Sequence, residues 1–121
     1  MSQLILIVDD NENNRKLARD VLEFAGFKTV EATGGVEAVA LTIEHLPALV
    51  LMDIRMPDMN GTEALKLLRE DSRTAEIPIV ALTSSTMRGD EQRFLAEGFD
   101  GYLAKPIDVA ELLGAVREHC S

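Results

Sequence analysis

Ala48 to Met52 are five consecutive apolar residues, and they run into a carboxylate, Asp53, and then a turn marked by Pro57. An apolar run without polar alternation reads as a strand buried on both faces, as in a parallel sheet covered by helices. Asp53 then falls where the strand meets water. The carboxyl ends of strands are where open α/β sheets build their sites, which gives this aspartate a functional reading. On this stretch alone, a side chain closing the turn before Pro57 is an equal reading.

The rest of the chain repeats the pattern. Leu4 to Val8 is a second buried-strand run ending in carboxylates, Asp9 and Asp10, and Asn11-Glu12-Asn13-Asn14 supplies helix-capping side chains. Leu17, Val21, Leu22 and Ala25 recur at helical spacing, and Gly26 provides the stop. Residues 27–31 make a weaker strand, and Val36, Val39, Ala40 and Ile43 mark a second helix ending before Pro47. Past the central strand, Asn60-Gly61 opens a third helix with Leu65 and Leu68 inward. Ile79 to Leu82 is a fourth strand, ending in the hydroxyl run Thr83-Ser84-Ser85-Thr86. A helix over about 88–97 follows, with Phe94 and Leu95 as its apolar pair. Residues 101–104 form a fifth strand ending at Lys105-Pro106, and Asp108 with Glu111 caps a last helix carrying Val109, Leu112, Leu113 and Val116.

Strands alternating with helices imply an α/β fold, a doubly wound five-stranded parallel sheet with five helices, in one domain spanning residues 1–121. The ends of the first, third, fourth and fifth strands then share one edge. That brings together Asp9, Asp10, Asp53, Thr83 and Lys105.

Composition narrows the partners. A formal charge of -9, from 21 acidic and 12 basic residues, repels phosphate backbones, and an aromatic content of 4% without tryptophan leaves little for base stacking. Direct nucleic-acid binding is therefore not expected. A cation or a basic protein surface fits better. The single cysteine, Cys120, supplies no disulfide framework, and neither a membrane-spanning run nor a cationic leader is present. These features predict a soluble cytoplasmic protein with no membrane insertion.

Crowded carboxylates repel unless a cation joins them. All-oxygen ligation points to Mg2+, with Mn2+ as the alternative, because the motif turns contain no histidine or cysteine. Helix capping is the plainer reading of Asp9 and Asp10 by themselves, and a surface lysine that of Lys105. A carboxylate can attack phosphorus to form an acyl phosphate, a reaction that needs its equatorial oxygens neutralised more than it needs proton transfer. Lys105 and the metal would supply that charge, and Thr83 a hydroxyl donor.

With Asp-Asp after the first strand, Asp53 after the third, Thr83 after the fourth and Lys105-Pro106 after the fifth, the chain resembles a response-regulator receiver domain of two-component signalling. Met56-Pro57 and Asn60-Gly61 in the intervening loop belong to the same pattern, and the resemblance runs from Leu4 to about Val116. It implies a flavodoxin-like sheet of order 2-1-3-4-5. It also implies that Asp53 is the phosphoacceptor, that Asp10 ligates the metal directly, and that Asp9 ligates it mainly through water. The backbone carbonyl of Arg55 is a further implied ligand. Lys105 would pair with the phosphoryl group across a cis Lys105-Pro106 bond, and Thr83 and Tyr102 would rearrange together as the switch. Arg55 and Ser85 occupy the two positions that tune phosphate lifetime, and match no pair from which a lifetime can be carried over. Asn14, Leu17 and Pro106 would meet a sensor histidine kinase or histidine phosphotransfer protein. Met87, Arg88 and Tyr102 would meet a downstream target. The segment Asp10 to Asn14 resembles stand-alone cell-division regulators and hybrid-kinase receivers. A monomer or weak dimer is expected.

Three functions follow. The first is a phosphorylation-activated switch that catalyses its own phosphorylation and dephosphorylation, without a separate substrate, or serves as a phosphorelay intermediate. The second is an adaptor that binds partners independently of phosphorylation. The third, a Mg2+-dependent phosphohydrolase, lacks a second acid or base beside Asp53, where Ile54 and Arg55 follow.

Overall fold

The computed structural model describes residues 3–84 and 90–120. Five strands alternate with five helices: β1 Leu4–Val8, α1 Glu12–Phe24, β2 Lys28–Ala32, α2 Gly35–His45, β3 Leu49–Asp53, α3 Gly61–Glu70, β4 Ile79–Thr83, α4 Asp90–Glu97, β5 Gly101–Ala104 and α5 Val109–His119. The strands pair in parallel in the order β2-β1-β3-β4-β5, as the resemblance implied. The central β1, β3 and β4 carry the unbroken apolar runs, because a strand covered on both faces has no side facing water.

Alternation along these strands divides the core. Leu6, Val8, Val50, Met52, Ile79 and Ala81 face α2, α3 and α4, where Ala38, Ala64, Leu65, Leu68 and Phe94 meet them. Ile5, Ile7, Leu49, Leu51, Val80 and Leu82 face α1 and α5, against Ala18, Leu22, Leu112 and Val116.

Local sequence sets the helix ends. Asn11, Asn60 and Asp108 each accept a hydrogen bond from the backbone N–H three residues on, the usual N-cap arrangement. Gly26 and Gly98 stop α1 and α4 with φ of 99° and 115°, a region that disfavours side chains bearing a Cβ.

In two helices the apolar residues that mark the sequence are not all buried. In α2, Val36 is 58% exposed and Ala40 is also exposed, while Ala38 and Thr42 are buried. This helix lies against both the sheet and α3, and small residues permit that approach. In α4 the expected pair divides, Phe94 being buried edge-to-face on Phe99 and Leu95 half exposed. Among the described residues, no helix is long and apolar enough to cross a membrane.

Candidate functional site

Asp9 follows β1 directly, and its N–H donates to the Ala32 carbonyl, so the β1·β2 ladder fixes its backbone. Its buried carboxylate accepts hydrogen bonds from the Asn11 N–H at 2.9 Å and the Asn14 Nδ2 at 3.3 Å, and pairs with the Lys105 Nζ at 2.9 Å. Asp53 is the last residue of β3. Its Oδ2 lies 3.1 Å from the same Lys105 Nζ, and its Oδ1 accepts the Arg55 N–H at 3.3 Å. Asp10 stands exposed at the mouth, and one carboxylate oxygen from each of Asp9, Asp10 and Asp53 comes within 4.8 Å of the others.

Thr83 ends β4 and is buried, and its carbonyl accepts the Lys105 N–H at 2.8 Å. The Lys105-Pro106 bond is cis. Asp9, Asp10, Asp53, Thr83 and Lys105 therefore come together at one end of the sheet. Tyr102, on β5, is half-buried with its ring 6.3 Å from that of Phe94. Leu17 and Pro106 are exposed, whereas Asn14 is tied to Asp9. Ser85, Met87 and Arg88 lie outside the described residues.

The electrostatics follow from burial. Asp53 is pushed up to about 6, first by loss of water and then by the Asp9 charge, against the pull of Lys105. Burial by itself would pull the Lys105 ammonium down, but hydrogen bonds to Asp9 and Asp53, with their charges, hold it above its ordinary value. Three converging carboxylates without nitrogen or sulfur donors suit Mg2+ in chemistry and number, so the residues present fit that ion.

Other contacts were not legible as functional residues. Arg15 donates from Nη1 to the Asp9 carbonyl at 2.8 Å and from Nε to Glu31 at 3.2 Å, bracing the acidic turn from α1. Its signal in the sequence was a cation in the first turn of the helix that follows two aspartates. Gly61 is pressed on the end of β3, where a Cβ would stand 2.5 Å from the Asp53 carbonyl oxygen. No pattern of residue types announced that approach, although Asn60-Gly61 marked the helix start.

Known proteins resemble this chain in sequence and fold. The polar-differentiation response regulator DivK of Brucella ovis is 40% identical over 119 residues, covering 98% of this chain and 97% of its own. The chemotaxis protein CheY4 of Vibrio cholerae superposes with a TM-score of 0.91 at 30% identity, over 98% of this chain and 99% of that one. The receiver domain of the Pseudomonas aeruginosa sensor histidine kinase PA1611, solved with a magnesium ion coordinated in its active-site cleft, gives 0.89 at 31% identity over 98% of both chains. Residues 5–117 match the response regulator receiver domain, and the chain belongs to that family.

Proposed function

We propose that this chain is a phosphorylation-activated switch that accepts a phosphoryl group on Asp53 from a phosphohistidine donor. The observation that carries the reading is the single ammonium of Lys105 lying between Asp9 and Asp53, with Asp10 beside them at the end of the sheet. In the transfer, an Asp53 carboxylate oxygen forms a bond to phosphorus while the bond from phosphorus to the donor imidazole, protonated on its other ring nitrogen, breaks and returns its electron pair to the ring, leaving an acyl phosphate and a neutral histidine. Lys105 exchanges its contact with the Asp53 carboxylate for one with a phosphoryl oxygen. Thr83 donates its hydroxyl to another. Asp9, Asp10, Asp53 and the Arg55 carbonyl would hold Mg2+, or Mn2+ in its place, and the ion would neutralise charge on the phosphoryl oxygens.

The output follows from charge and space. Phosphorylation adds roughly -1.5 to -2 charges near pH 7. Thr83 drawn toward that charge would leave room beside Tyr102, whose ring rests near Phe94 at the α4·β5 junction. A surface including Met87, Arg88 and Tyr102 would then change its preference for a downstream protein, a shift between states already present. The donor, a sensor kinase or histidine phosphotransfer protein, would meet Asn14, Leu17 and Pro106, and Arg55 and Ser85 would set how long the phosphate lasts. Such a partnership belongs in the cytoplasm.

Incubation with Mg2+ and acetyl phosphate, followed by intact-mass measurement, tests the reading. Wild type is expected to gain one phosphoryl group, and Asp53→Asn none. An unmodified wild type, with Mg2+ bound and no time for hydrolysis, would overturn the switch in favour of the phosphorylation-independent adaptor.

A further inference from the structure

We infer that Asp58 is a positioning residue for the metal site, fastening the loop that carries the Arg55 carbonyl to the N-terminus of α2. The inference rests on the receiver reading and adds to it a contact between two elements. The loop over residues 54–60 is closed at its base, where the Gly61 N–H donates to the Ile54 carbonyl at 2.8 Å. Its middle is held from outside: Asp58 Oδ1 accepts the Gly35 N–H at 3.0 Å, and Oδ2 accepts the Val36 N–H at 3.1 Å. These are first-turn donors of α2, which a helix cannot satisfy internally.

The sequence at the start of α2 makes the contact possible. Its N-cap is Gly34, which has no side chain to offer. A Cβ at Gly34 would stand 2.6 Å from Asp58 Oδ1, and one at Gly35 would stand 2.7 Å from the Met59 Cβ. The two glycines admit the loop, and the loop provides the cap that Gly34 lacks. A carboxylate suits the positive end of the helix dipole. Because Ala38 and Thr42 seat α2 in the core, the loop inherits an anchor independent of β3.

Two roles, capping α2 and holding the loop, separate in a double variant. Asp58→Ala removes both. Adding Gly34→Asn returns a cap to α2 from its own N-cap position, into space that Asp58 has vacated, without restoring the tie. Mg2+ alone is titrated calorimetrically into wild type, Asp58→Ala and Asp58→Ala/Gly34→Asn, with melting temperatures measured in parallel. Asp58→Ala is expected to bind Mg2+ about tenfold more weakly, as when a group orienting a metal ligand is lost. The double variant is expected to recover its melting temperature but not its affinity. Wild-type affinity in Asp58→Ala, or affinity recovered together with stability in the double variant, would overturn the positioning role. Should Asp58→Ala fail to fold, the capped double variant alone decides by the same comparison with wild type. Failure of wild type itself to bind Mg2+ would bring down the receiver reading first, and this inference with it.

Discussion

Asp53 is subject to opposing demands. In the proposed switch it has to be ionised to attack phosphorus or hold a cation, yet it is 4% exposed and faces the Asp9 carboxylate, which together push it up to about 6 from 3.8. Between these values the folded state keeps a proton that the unfolded chain has released. The contribution of Asp53 to stability is therefore largest below the unfolded value and falls as pH rises through about 6. Above that, its ionised form costs up to about 3 kcal/mol. In the absence of Mg2+, Asp53→Asn is expected to melt above wild type at about pH 7.5, with the advantage gone by about pH 4. Equal melting temperatures at both pH values would show that Asp53 is not held in its charged form against a cost. The position of this residue became legible through its company, since Asp9, Asp10, Thr83 and Lys105 also fall at strand ends, whereas its own stretch read equally well as a turn. The environments of Asn14 and Arg15 were not legible, since they depend on how α1 leans over the Asp9 turn.

The elements are tied together on the opposite side by Arg69. From the last turn of α3 it donates to the carbonyls of Ala75 at 3.0 Å, Ile77 at 2.6 Å and Gly98 at 3.0 Å, and pairs with Asp100 Oδ2 at 2.7 Å. Asp100 Oδ2 also accepts the Ile79 N–H at 2.8 Å. One guanidinium thus joins α3, the loop after it, the end of α4 and, through Asp100, the start of β4. Arg69→Ala would leave these acceptors to water or without a donor, at a cost of roughly 2–4 kcal/mol. Arg69→Lys should recover only part of this, because an ammonium lacks the planar fork. Urea unfolding midpoints check both, and a midpoint unchanged in Arg69→Ala would mean that water replaces the clasp at no cost. Local signals could not reveal it, since its partners lie up to 31 residues away. Strands and caps were legible because they rest on adjacent residues. The buried face of α2 was not legible, because Ala38 and Thr42, small or polar, lie inward while Val36 faces out.

Across the whole molecule, the charge of -9 links stability to cations in two separable ways. Any salt screens the self-repulsion of the folded chain, with a reach set by ionic strength. Mg2+ should do more, because an ion that binds the folded state and not the unfolded one stabilises it through mass action, by about 1.4 kcal/mol at ten times its Kd. For a domain of this size that corresponds to a rise in melting temperature of roughly 3–6 °C. Wild type is therefore expected to gain more from MgCl2 than from NaCl at matched ionic strength. Asp10→Asn, altered only at the exposed member of the cluster, should keep the general salt effect and lose the excess. Asp10 is the right probe because it lies outside the Lys105 bridge, so its removal leaves the Asp9 and Asp53 pairs standing. An excess that survived in Asp10→Asn would assign Mg2+ to the general acidity of the surface and remove the metal from the site at the end of the sheet.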